Sequence, residues 1–156
     1  MRKAMLVLAV VGLVCLTGPA RAADTDTISV TVSLAVVISV DVTPATWNIG
    51  ATALSYISAP HACSATNDGN VTEDLTITGA DGANGWTIAS NPGTDEFAVK
   101  LADGTPLTTS AIPLVSSLAV GSSHPFEIAY FGPTDDTQGG GVDHSFTITI
   151  TAAQSP

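Results

Sequence analysis

The sequence predicts an all-β protein, an antiparallel β-sandwich of seven to nine strands that forms one domain over residues 23–156 behind a signal peptide over residues 1–22. Three observations predict it. After residue 23 no stretch holds a helical period through three turns, whereas alternation rich in Thr, Val and Ile recurs to the C-terminus. Gly, Asn, Asp and Pro interrupt that alternation about every 8–12 residues, the spacing of short strands in a sandwich. The chain left after residues 1–22 is also long enough to bury roughly two-thirds of its unfolded surface in a single core.

The N-terminus has the three parts of a secretion signal. Arg2 and Lys3 supply positive charge, Ala4 to Leu16 is apolar, and Thr17-Gly18-Pro19 precedes the small-x-small site Ala20-Arg21-Ala22. Cleavage is expected after Ala22, with Ala23 as the neighbouring alternative. The apolar run is shorter than the roughly 20 residues that span a bilayer, so no membrane span is expected after cleavage. The expected destination is outside the cell or on its surface, with the periplasm as the alternative.

Processing changes the charge. Arg2, Lys3 and Arg21 leave with the signal, and the remaining chain keeps one base, Lys100, against all 14 acidic residues. Such a surface repels phosphate backbones and anionic headgroups, which disfavours nucleic acid and membrane-surface partners. Cys15 also leaves. Cys63 then has no partner within its chain, and reads as a small buried hydrophobe or as one half of a disulfide between copies.

The first strand is predicted over residues 28–42. Ile28, Val30, Val32, Leu34, Val36, Ile38, Val40 and Val42 are apolar in alternation, facing Ser29, Thr31, Ser33, Ala35, Val37, Ser39 and Asp41, until Pro44 ends the pairing. Fully extended it would measure about 50 Å, against a usual strand of about 5–6 residues. Either it bends and passes from one sheet to the other, or its first half completes the sheet of a neighbouring copy.

Shorter strands follow. Trp47–Ile49 is brief, and Tyr56–Thr66 leads into the turn Asn67-Asp68-Gly69-Asn70. Val71–Thr78 alternates through Val71, Glu73, Leu75 and Ile77, with Glu73 expected at an edge. Beyond the loop Gly79–Gly85 come Trp86–Ala89 and Phe97–Leu101, then a turn at Asp103-Gly104. Ile112–Val120 is a strand broken by Pro113; Phe126, Ile128 and Tyr130 share one face of the next, and Phe146, Ile148 and Ile150 line the last.

Pro44-x-x-Trp47-x-x-Gly50, Ala65-Thr66-Asn67-Asp68-Gly69-Asn70-Val71 and Leu118-Ala119-Val120-Gly121-Ser122 ahead of Phe126–Phe131 form an ordered set. Over about residues 40–151 the set resembles the immunoglobulin-like β-sandwich modules of bacterial and archaeal secreted surface proteins, the ASPM/SPD-2/Hydin type. A looser likeness is to fibre subunits of the camelysin/TasA type. The resemblance implies an immunoglobulin-like topology, with a hairpin at the Asn-x-Gly-Asn turn. Its motifs are structural rather than catalytic.

No catalytic constellation emerges. There is no Gly-x-Ser-x-Gly, and Ser123 and His124 are adjacent, so in a strand they point to opposite faces. The neighbouring acids Glu73-Asp74 and Asp95-Glu96 likewise alternate and cannot flank one glycosidic bond. His61 and Cys63 share a strand face but lack the further ligands a soft-metal site needs. Asp135, Asp136 and Asp143, around Gly139-Gly140-Gly141, are the calcium candidates, with Asp81 and Asn84 in a second loop. Solvated loop carboxylates are the simpler reading. Trp47 and Trp86 read as core anchors in preference to sugar platforms.

The chain is therefore expected to be a non-enzymatic structural protein, without a cofactor, that assembles with itself or other surface proteins. The expected assembly strand carries Ile28, Val30, Val32, Leu34, Val36, Ile38 and Val40. The alternative is a monomeric module binding glycan or calcium through the loops at 79–85 and 132–143.

Overall fold

A computed structural model describes residues 27–138 and 141–156. The expected signal sequence, its expected cleavage site and Cys15 lie outside these residues. The chain divides into two units, residues 1–33 and residues 34–156. In the first, residues 27–33 form neither helix nor strand.

Residues 34–156 form an all-β sandwich with no helix among the described residues. Its strands are β1 (Val40–Thr43), β2 (His61–Asn67), β3 (Glu73–Gly79), β4 (Thr87–Ile88), β5 (Glu96–Leu101), β6 (Ile112–Leu118), β7 (Ser123–Phe131) and β8 (Ile148–Gln154). One sheet runs β1-β2-β7-β5-β4 and the other β6-β3-β8. Every pairing is antiparallel except the two-residue contact of β4 with β5.

Alternation places the core. In β3 the even steps Glu73, Leu75, Ile77 and Gly79 are buried while Asp74, Thr76 and Thr78 are only half-buried. In β7, Ile128 and Tyr130 turn inward. They meet Phe97, which has no exposed surface, and Phe146 closes the cluster with its ring 4.6 Å from Phe97 and 5.9 Å from Tyr130. Burial pushes the Tyr130 phenol up to about 12. Cys63 is a buried free thiol whose ionisation burial likewise raises. Trp47 and Trp86 are partly buried against this core, as anchors would be.

Four expectations are corrected. The ladder of the first strand covers only Val40–Thr43; residues 28–39 pair in no ladder, because alternation supplies a face without supplying a neighbouring strand edge. Trp47–Ile49 is irregular, its apolar residues packing without pairing. The turn at 67–70 is no hairpin, since β2 and β3 belong to different sheets. Glu73 does not sit at an edge: β3 is the central strand of its sheet, and the Glu73 side chain is fully buried.

One core residue escaped the pattern. Leu107 is fully buried because residues 105–107 fold back on β5 after Gly104, which has φ 87°. The Leu107 N–H donates to Val99 O at 2.8 Å, and the Leu101 N–H donates to Thr105 O at 2.9 Å.

Candidate assembly site

The corner between β2 and β3 is built by side chains that do backbone work. Asn67, fully buried, donates through Nδ2 to Val71 O (2.8 Å) and Leu118 O (2.9 Å), and its Oδ1 accepts the Gly69 N–H (2.9 Å). One amide thus satisfies three main-chain groups where the chain leaves one sheet for the other.

Residues 35–39, just ahead of β1, lie along that corner. The Asp68 N–H donates to Ser39 O (3.1 Å) and the Asn70 N–H to Val37 O (3.0 Å), single main-chain bonds past the end of the β1–β2 ladder. The Asn70 side chain imitates a further peptide unit: Oδ1 accepts the Val37 N–H and Nδ2 donates to Ala35 O, both at 2.8 Å. The buried Glu73 Oε1 accepts the Ser39 N–H at 2.8 Å. That bond satisfies Oε1, while the equally buried Oε2 meets no hydrogen-bond partner among the described residues. Gly69 permits the approach, since a Cβ there would fall inside contact distance of both Val37 O and Glu73 Oε1. The sequence signalled the turn but not this clamp, because Asn-x-Gly-Asn reads first as backbone geometry.

Ahead of the clamp the predicted assembly residues are bare. Ile28 is 91 % exposed, Val30 and Val32 are 76 %, and Leu34 is 87 %. Exposure falls through Val36 (54 %) and Ile38 (46 %), and Val40 is half-buried against the sandwich. Isolated apolar side chains on a surface are ordinary; a whole alternating row is not. Between Thr27 and Val40 there is no charged residue and no proline, so neither of the usual devices that protect an edge from pairing is present.

The calcium candidates are not gathered into one site. Among the described residues no three His, Cys, Asp or Glu side chains stand together to hold a metal ion. Asp135 Oδ1 accepts the Asp136 N–H (3.0 Å), Asp136 Oδ1 accepts the Gln138 N–H (3.0 Å), and Asp143 takes part through its backbone oxygen, which accepts from Asn84 Nδ2 (3.0 Å). Asp81 Oδ1 accepts the Ile88 N–H at 2.9 Å. The hub of this end is Asp95, whose carboxylate accepts from the Thr137 hydroxyl, the Thr137 N–H and Gln138 Nε2. Those bonds, the Thr137 hydroxyl foremost, hold its ionisation below the usual aspartate range. Trp86 donates to Asp136 Oδ1 (3.4 Å) and stacks on His144 at 3.8 Å. His61 stacks on Trp47 at 4.8 Å, and Ser123 shares a hydrogen bond with Thr66, not with His124. Among the described residues no helix is long and apolar enough to cross a membrane.

No protein-family model matches this chain, and no curated protein matches it.

Proposed function

We propose that this chain is a secreted, non-enzymatic structural subunit that assembles outside the cell by adding its N-terminal strand to a neighbouring copy. The observation that carries the reading is the uncharged row Ile28, Val30, Val32 and Leu34, apolar in strict alternation and 76–91 % exposed. A segment of that kind gives affinity through main-chain hydrogen bonds and specificity through alternate side chains. Burying four such side chains contributes on the order of 6–12 kcal/mol, at about 1.5–3 kcal/mol each. Association costs about 4–15 kcal/mol, so the apolar row and the main-chain pairing are both needed for stable assembly. The rest of the chain carries a large excess of acids over bases, so contact between copies is favoured where charge is absent.

Size exclusion with light scattering tests the reading, on the chain from Ala23 beside a version starting at Leu34. The expected result is a set of oligomers for the longer chain and a folded monomer for the shorter one. A monomeric longer chain across the micromolar range would overturn the proposal and leave the loop-binding alternative.

A further inference from the structure

Among the described residues the sandwich has four strand edges, and one of them suits a seven-residue donor. Strand β1 offers four residues and β4 two. Strand β6 has the length but not the regularity. Pro113 lacks an N–H, the register with β3 shifts twice, Ser117 sits at φ 56°, and its N–H is taken by Asp74 Oδ1 at 2.7 Å. Strand β8 pairs with β3 in unbroken register over all seven of its residues, contains no proline and carries no charge. Proline, charge and a bulge, three of the usual protections of an edge strand, are therefore missing from β8.

Both faces of β8 also match the donor. Its inward residues Ile148, Ile150 and Ala152 remain only half-buried although they point at the core. Val40 and Val42 of β1, which pack on the same small cluster of Ala65, Leu75 and Leu118 as Ile150 and Ala152, are likewise half-buried. The flank of the sandwich between β8 and β1 is therefore apolar and incompletely covered. The outward residues Thr149 and Thr151 are exposed and polar. A strand laid beside β8 would continue both rows. Ile28, Val30, Val32 and Leu34 would cover the apolar flank, and Ser29, Thr31 and Ser33 would extend the hydroxyl face. Seven extended residues measure about 23 Å on either side.

Resting on the self-assembly reading above, we infer that the acceptor is the outer edge of β8 in a second copy, and the occupant is residues 28–34. The pairing adds a fourth strand to the β6-β3-β8 sheet. The uncovered edge of one copy and the exposed strand of the next then repeat along a chain of subunits, a head-to-tail contact that leaves both ends open to growth.

Mixed cross-linking tests this on the chain as recovered after secretion, in a Cys63→Ser background. One batch carries Thr31→Cys, at the centre of the donor. The other carries Thr151→Cys at the centre of β8, or Ser116→Cys on β6. Centre-to-centre pairs read the contact whichever way the strand runs. A short bis-maleimide is added after mixing, with light scattering on the same samples. The expected result is a Thr31→Cys to Thr151→Cys product at least tenfold above the product with Ser116→Cys. Oligomers that cross-link equally well or better through Ser116→Cys, or that give no product with Thr151→Cys, would overturn β8 as the acceptor while leaving self-assembly standing. Absence of oligomers would remove the self-assembly reading itself and this inference with it. Both target positions are exposed, and an unchanged unfolding midpoint for each variant excludes loss of the fold as the cause of a missing product.

Discussion

Asn67→Ala is expected to cost about 3–5 kcal/mol of folding stability, an effect unusual for a small polar side chain outside any catalytic role. The residue is fully buried, and its amide is bonded to the carbonyls of Val71 and Leu118 and to the Gly69 N–H. Truncation leaves three main-chain groups without that partner, each worth about 1–3 kcal/mol when buried and unpaired. Water entering at the corner offsets part of the loss, which sets the lower figure. Asn67→Asp separates the contributions. It keeps an acceptor for Gly69 but removes both donations and adds a buried charge, so it should be at least as damaging. Chemical denaturation of the two variants checks this through the midpoint at constant slope. A loss under about 1 kcal/mol for Asn67→Ala would mean that the corner does not depend on this amide.

Phe97→Ala is the second large effect, expected at about 3–5 kcal/mol. Phe97 is fully buried in β5 and neighbours three other core aromatics, with Phe146 at 4.6 Å, Tyr130 at 6.0 Å and Trp86 at 6.4 Å. Tyr130 comes from β7 of the same sheet, Trp86 and Phe146 from the segments before β4 and β8, and Ile77 of β3 in the other sheet belongs to the same buried cluster, so a cavity here loosens the sandwich across its layers. Phe97→Leu keeps most of the volume and should cost roughly half as much. Near-ultraviolet circular dichroism checks the packing and denaturation the stability. Retention of the full aromatic signal and stability by Phe97→Ala would place the core elsewhere.

How much of this was legible depended on what each residue reports. Alternation reports a face, and in β3 and β7 it identified the inward rows correctly, including Leu75, Ile77, Ile128 and Tyr130. It does not report partners. Nothing in Asn67-Asp68-Gly69-Asn70 says that the strands on either side lie in different sheets. Glu73 was misplaced for a related reason: a carboxyl in an alternating strand suggests an edge unless its buried ligand, here the Ser39 N–H, is known. Leu107 was hidden because three residues after a turn carry no period at all. At the calcium candidates, Asp135 and Asp136 use their carboxylates as turn acceptors, and among the described residues no three such side chains stand together, an arrangement that composition does not report. The apolar row at 28–34 was plain in the sequence, but the clamp that holds residues 35–39 appeared only with the fold.

If Ile28–Leu34 takes up main-chain hydrogen bonds in another copy, backbone amide exchange reads those bonds directly. Deuterium uptake would be followed in peptides covering residues 28–34 and 148–154, at protein concentrations a hundredfold apart. Strand addition predicts that both segments become protected together as concentration rises, while the core of β3 and β7 exchanges slowly throughout. Rapid exchange of residues 28–34 at both concentrations, or protection that is the same at both, would contradict it.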